Sequence, residues 1–483
     1  MSNEFEEKQG AAEDNRPAEE TGPISSSSDL EQEKKREVYE FYAQGNTATT
    51  QIFIGHLGSM DLAPWQKRCT QSAPPASQTY SLHTRQGCRE FVERYKNSEY
   101  LAVAIVLSVF ELVCLGDLHE LAELLMEELP DAAPAKEDVP PARDPYTSVD
   151  TYLSAIGGEW FTSQERKQYV GLGENAQKAL QNIWEQFSGL RDPICQWLVM
   201  LCQSYKAHTA FDAYQMVCAF ARVACLDFEE ALKRIFSRLY SSPENVGFLG
   251  NLVCKLYEKA SLRGTLDELL QGWLDAKGSW LWRPACLACS FLMPGLDERR
   301  FTPALEKVVS SRLNNLTKDD SMFFAILMLQ SKYFRDLLPR LLSRMVRRAG
   351  NRERRLATAQ TYLYLLRSCY YLVDEQRPEL PLAACDTKGQ QEALTPVLVE
   401  VMGHVGMRKQ LYAVLRAYLN ELNRYRYPDN LFHHLCAYFY NLILSAPAYR
   451  PDIMEFLSSF RGKPGRRLCE YMHRSFRQLP PSP

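Results

Sequence analysis

Helix signals recur along this chain at a nearly constant interval, and that interval limits the fold more than any single residue does. Helix starts fall near 192, 210, 227, 245, 265, 284, 303, 320, 335 and 352, so successive starts are 15–20 residues apart. Each start is followed by apolar residues at intervals of three and four, the spacing that places side chains on one helical face. Sustained strand alternation bounded by hairpin turns is not legible between 90 and 470.

Residues 211–240 show the unit most clearly. Asp227, with Glu230 three positions on, forms a capping-box pattern. Phe228, Leu232, Ile235, Phe236 and Leu239 share one face, and Glu229, Lys233, Arg234 and Arg238 take the other. The preceding helix carries Met216, Val217, Cys218, Phe220, Val223 and Cys225 and is apolar nearly all round. Such a helix requires cover on more than one side. One helix is therefore expected to be inner and its partner outer.

Two helices occupy roughly 34–39 residues in most places, near the periods of tetratricopeptide-type and HEAT-type arrays. The match is to period only: the signature residues of a tetratricopeptide repeat and of ankyrin are not found. The expected fold is all-α: an irregular α-solenoid, or helical-repeat-like array of αα-hairpins, with a disordered N-terminus. Other capping patterns lie at Asp117 with Glu120, Thr162 with Glu165, and Thr265 with Glu268. They predict helices beginning after residues 117, 162 and 265. Earlier helices are expected over 87–95 and 98–115, and one starting near Glu33 and running to Tyr42.

Composition punctuates this series. Residues 1–35 are rich in Glu, Ser, Gln and Pro and are expected to be a disordered acidic tail. A helical region with loops follows over 36–129. Residues 130–147 hold five prolines and read as an exposed linker. The helical array spans 148–373, a loop 374–390, a basic helical region 391–478 and a short tail 479–483.

Charge is divided unevenly along the 483 residues. The total is −3, yet residues 1–40 hold 12 acidic and 5 basic groups, and residues 331–483 hold 24 basic and 13 acidic. An acidic front and a basic back bear on partners rather than on fold. The 14 cysteines are scattered, and the pairs 195/202 and 218/225 have helical core spacing. The N-terminus is Glu-rich without an apolar signal-peptide core. The most apolar run, 101–116, is too short to span a bilayer. These features predict an intracellular protein with reduced thiols, soluble, nuclear in preference to cytoplasmic, and not bound to membrane.

Candidate chemistry is sparse. Residues 52–57, Ile-Phe-Ile-Gly-His-Leu, resemble the first-strand ribonucleoprotein motif of RNA-recognition domains, with His56 where Asn is usual. That fold needs a second aromatic motif on a neighbouring strand. Residues 87–95 do not supply one, so a short buried apolar segment is expected. Cys286 and Cys289 form a lone Cys-x-x-Cys with no second ligand pair, which favours core packing over zinc. His433 and His434 point about 100° apart on a helix and cannot easily share an ion. Phosphate loops, nucleophile elbows and zinc-protease motifs are not found. No catalytic residue, cofactor or metal is expected.

One polar feature stands out. Arg340, Arg344, Arg347, Arg348, Arg352, Arg354 and Arg355 fall within sixteen residues, with Glu353 the only acid. A helix over 337–349 would put the first four on one face. Gly350 and Asn351 would end it, and Arg352 would open the next helix. A second basic stretch holds Arg461, Lys463, Arg466 and Arg467. Arginine forks match carboxylate and phosphate alike. Three readings follow: a solvated face, a site for an acidic protein segment, or a nucleic-acid contact. The expected function is a non-enzymatic scaffold or adaptor subunit binding partner proteins. The alternative is a nucleic-acid-associated factor of a DNA repair, chromatin or transcription complex, acting through the basic C-terminal third.

Overall fold

The structure is a computed structural model. It describes residues 34, 66–67, 79–96, 98–129, 149–162, 167–204, 210–241, 243–276, 278–374, 379–383, 388–422, 429–459, 466–468, 470–471 and 474. Helix dominates these residues, as expected for an all-α chain. The Glu33–Tyr42 helix (Lys34 apart), the 52–57 segment, the 130–147 linker and the 479–483 tail lie outside the described residues. The chain divides into two compact units, Phe41–Val308, and Met1–Glu40 with Val309–Pro483. The division falls within the stretch 148–373.

The first unit is built around two short helices and what covers them. Helix α1 is Arg85–Arg94, capped by Thr84, whose side chain accepts from the Gly87 amide. Helix α2 is Glu99–Phe110, and every residue from Leu101 to Phe110 is buried. Cover on several sides explains this: α3 (Leu115–Glu128), α4 (Val149–Ile156), α5 (Ala176–Gln186) and α7 (Ala210–Leu226) all pack on it. Helix α6 is Arg191–Ser204 and packs on α3.

A small sheet corrects the expectation that no strands lie here. Strands β1 (Gln66–Lys67), β2 (Leu112–Cys114), β3 (Glu159–Thr162) and β4 (Gln168–Gly171) pair antiparallel in the order β1-β3-β4-β2. The sheet ends α2 at Phe110, not near 115. Glu111 takes φ 61° there, a conformation unfavourable for a side-chain-bearing residue. Arg222 of α7 holds this corner, donating to the Val109 carbonyl at 2.9 Å and pairing with the Glu111 carboxylate. Gly171 faces the same turn: a Cβ would lie 2.0 Å from the Glu111 carbonyl oxygen. Asp117 accordingly sits inside the first turn of α3 rather than capping it, and Thr162 ends a strand rather than starting a helix.

The helix pair at 211–240 is present as expected. Asp227 caps the second helix, accepting from the Glu230 amide at 3.1 Å. That helix, α8, runs through Phe228–Ala231, a π-helical turn Leu232–Phe236, and Ser237–Leu239. Further on come α9 (Val246–Tyr257), α10 (Arg263–Asp275) and α11 (Trp282–Leu292). Helices α9 and α11 approach closely because Gly250 has no side chain, and a Cβ there would lie 2.6 Å from Leu287 Cδ2. Helix α10 starts two residues before Thr265, so Thr265 and Glu268 lie within it.

Helix α12 (Glu298–Asn314) contains the division between the units. The second unit continues with α13 (Lys318–Gln330), α14 (Lys332–Arg348), α15 (Arg352–Tyr371), α16 (Lys388–Gly403), α17 (Val405–Leu422), α18 (Asp429–Ser445) and α19 (Arg450–Ser458). Each helix packs on its neighbour in sequence or on the next but one. Helix α13 packs on α15 and α15 on α17, while α14 packs on α16 and α16 on α18. Buried hydroxyl pairs join distant turns: Tyr362 to Tyr438 at 3.0 Å, and Ser321 to Ser368 at 2.7 Å. No helix among the described residues is long and apolar enough to cross a membrane.

Candidate docking site at an arginine corner

The corner forms where α14 ends and α15 begins. The last turn of α14 holds Arg347 and Arg348, and Ala349 is its C-cap. Asn351 caps α15, its side chain accepting from the Arg354 amide at 2.9 Å. Two basic helix ends therefore meet across the turn at Gly350, as the sequence suggests.

The two ends stand differently toward the helix dipole. Cations favour a helix C-terminus, so Arg347 and Arg348 suit the end of α14. Arg352, Arg354 and Arg355 occupy the first turn of α15, where the dipole is positive. Glu353 is the only acid in that turn. The dipole of α15 therefore does not favour these three arginines.

Arg340, Arg344, Arg347 and Arg348 line one side of a cleft of about 400 Å³. Ser343 lies among them, and Gly389, Glu392 and Ala393 at the start of α16 line the other side. The packing of α16 on α14 is held nearby by Gln390 Nε2, which donates to Asp336 Oδ1 at 2.6 Å.

Several of these arginines are engaged. Arg340 Nε donates to the Asp336 carbonyl at 3.0 Å. Arg355 Nε lies 3.3 Å from Glu400 Oε1, an ion pair without an aligned hydrogen bond. Arg347, Arg348, Arg352 and Arg354 are exposed. Among the described residues these four side chains have no carboxylate partner.

The second basic stretch is organised differently. Arg461 and Lys463 lie outside the described residues. Arg466 and Arg467 are exposed, and Arg467 lies over the Phe432 ring, 4.4 Å from its centroid. Such a contact is a cation–π interaction that ties Arg467 to α18. Glu392 and Glu400, which face the cluster from α16, belong to the site and were not singled out by sequence reasoning. Their approach depends on the packing of α16 against α14 and α15, which leaves no local pattern in the sequence.

The cysteines of the Cys-x-x-Cys are built into the core, whereas His433 is exposed and His434 half-buried. Cys286 and Cys289 are fully buried in α11, and burial pushes the Cys289 thiol well above its usual range. Burial likewise raises Cys88, Cys195 and Cys254 to about 12. No metal-competent group of His, Cys, Asp or Glu occurs among the described residues. A second cleft, about 300 Å³, lies in the first unit between Gln181, Trp184, Glu185, Cys225 and Lys259. Hydrogen bonds from Gln181 and then Arg85 hold the Glu185 carboxyl below the usual range, and burial raises the Cys225 thiol. These groups show no nucleophile–base pair, because Glu185 is spent on Gln181 and Arg85.

Compared with protein-family models, with curated proteins and with solved structures, the chain matches none.

Proposed function

We propose that this chain is a non-enzymatic helical scaffold or adaptor subunit of a multiprotein complex, and that an acidic segment of a partner protein docks at the arginine corner. The observation that carries this reading is the state of Arg347, Arg348, Arg352 and Arg354. All four are exposed and lack carboxylate partners among the described residues. Two of them, Arg352 and Arg354, sit where the dipole of α15 disfavours a cation. A cluster that stability does not favour is accounted for by a ligand.

The ligand chemistry follows from the guanidinium. Its fixed fork meets a carboxylate through two parallel hydrogen bonds. Each exposed pair contributes only about 0.2–1 kcal/mol, so useful affinity requires several carboxylates on one segment. The adjoining cleft gives such a segment a wall of α14 on one side and of α16 on the other. The stacking of alternate helices supports an irregular solenoid in which the remaining surface holds further partners. An intracellular and nuclear setting remains part of this proposal on the strength of the basic clusters.

Affinity purification from cell extract, followed by mass spectrometry, tests the reading. The wild-type chain is compared with a variant carrying Arg347→Glu, Arg348→Glu, Arg352→Glu and Arg354→Glu. The expected result is a set of partners bearing Asp/Glu-rich segments, lost in the variant and resistant to nuclease. Nuclease-sensitive capture would transfer the corner to nucleic acid. A monodisperse, partner-free chain in native extract would contradict the scaffold role.

A further inference from the structure

Lys34 stands 387 residues before Glu421 in sequence, yet its ammonium lies against the Glu421 carboxylate. Nζ is 2.7 Å from Oε1 and 2.8 Å from Oε2, and it donates to the Val373 carbonyl at 2.6 Å. The Tyr370 ring forms a further wall, with its centroid 4.8 Å from Nζ. An ammonium has three donors, and here three acceptors meet them. Glu421 is 8% exposed and Tyr370 fully buried, so this is an enclosed site rather than a surface contact.

The ends of two helices make the site favour a cation. Val373 follows the C-terminus of α15, and Glu421 is the penultimate residue of α17. The two helices run in the same direction, since Gln360 meets Gln410 midway along them. Two negative helix ends therefore converge on one point, where a carboxylate is disfavoured and a cation favoured. A buried carboxylate in that field requires a cationic partner. A compact ammonium on a slender stem fits three convergent acceptors better than a planar guanidinium does.

We propose that Glu421, the Val373 carbonyl and the Tyr370 ring form a lysine-ammonium site whose ligand is Lys34 of the same chain, and that this site anchors the acidic N-terminal segment within reach of the arginine corner. The anchor and the corner lie at opposite ends of α15, a helix of 20 residues. That is a separation of about 30 Å at 1.5 Å per residue. Glu19 and Glu20 precede Lys34 by 15 and 14 residues. A chain of that length reaches up to about 50 Å when extended. Once anchored, the segment, part of a 40-residue stretch with net charge −7, presents carboxylates to the arginines at high effective concentration. It thereby competes with acidic partners, a consequence that rests on the acidic-partner reading above.

Limiting acetylation of surface amines in the full-length protein, read by mass spectrometry, tests the site. Lys34 should react at least tenfold more slowly than Lys178, which is exposed on α5. Glu421→Gln should bring Lys34 to within about twofold of Lys178 while leaving Lys178 unchanged. Equal rates in the wild-type protein would overturn the site, and that comparison does not depend on any variant folding. The competition is read separately, by anisotropy with a fluorescein-labelled glutamate-rich dodecapeptide. Lys34→Ala should bind it at least threefold more tightly than wild type. Equal affinity with Lys34 protected would overturn the competition. Absence of binding by either protein would overturn the acidic-partner reading and the competition together, while slow labelling of Lys34 would still support the lysine site.

Discussion

Helix α15 carries cations at both ends, and the two ends hold them in opposite ways. At its C-terminus the Lys34 ammonium is enclosed, with every donor matched and the helix dipole in its favour. At its N-terminus Arg352 and Arg354 are exposed, lack carboxylate partners among the described residues and oppose the dipole. The first arrangement stabilises the fold. The second is mildly unfavourable to it, and that separates a cation used for structure from one held ready for a ligand. Charge count alone does not make this distinction; position on the helix and burial do.

The contrast is open to substitution, and the largest effect is expected at the enclosed end. Lys34→Ala leaves Glu421 without its ammonium and should cost about 3 kcal/mol of stability in chemical denaturation. The double variant Lys34→Ala/Glu421→Ala should recover most of that loss, because the uncompensated carboxylate is gone. A double variant as unstable as the sum of the singles would mean the two residues act independently. At the exposed end the largest effect belongs to the cap. Asn351→Ala should cost about 1 kcal/mol through loss of the bond to the Arg354 amide. Arg352→Glu and Arg354→Glu should each raise stability by about 0.5 kcal/mol, since an acid suits the first turn. A loss of stability in either would break the comparison. Smallest of all, Arg355→Ala should change stability by at most about 0.5 kcal/mol, because its ion pair with Glu400 is half-exposed.

Much of the helical pattern was legible because it is local. Asp227, with Glu230 three positions on, reads as a helix cap and caps α8 in the structure, whereas Asn351, read as the end of α14, instead caps α15. Intervals of three and four located α5 and α8 to within a residue or two. The misses have equally specific causes. Pro303 reads as a helix start because proline favours the first turn, yet it lies five residues inside α12. Thr162 and Glu165 imitate a capping box. Trp160, Phe161, Tyr169 and Val170 instead carry strands of four residues each, too short to show alternation. The break of α2 at Glu111 is imposed by pairing with β4 and by Arg222, more than a hundred residues away.

The candidate site divides along the same line. Its seven arginines crowd into sixteen residues and needed no structure to be noticed. The carboxylates that border them, Glu392 and Glu400, arrive on another helix. Lys34 lies in an acidic stretch whose composition argues for disorder, and nothing nearby marks it as the partner of Glu421. Contacts of that range follow from how helices stack, which period and composition do not encode.

The most direct test of the docking role is an anisotropy titration of one labelled glutamate-rich peptide. It compares the wild-type chain with a variant carrying Arg347→Glu, Arg348→Glu, Arg352→Glu and Arg354→Glu, at physiological ionic strength and with thermal melting measured in parallel. The expected result is at least a tenfold loss of affinity with the melting temperature held or raised, together with weakening of the wild-type complex as salt increases. Equal affinity in the two proteins, or a loss that appears only with unfolding, would contradict the assignment of these arginines to a ligand.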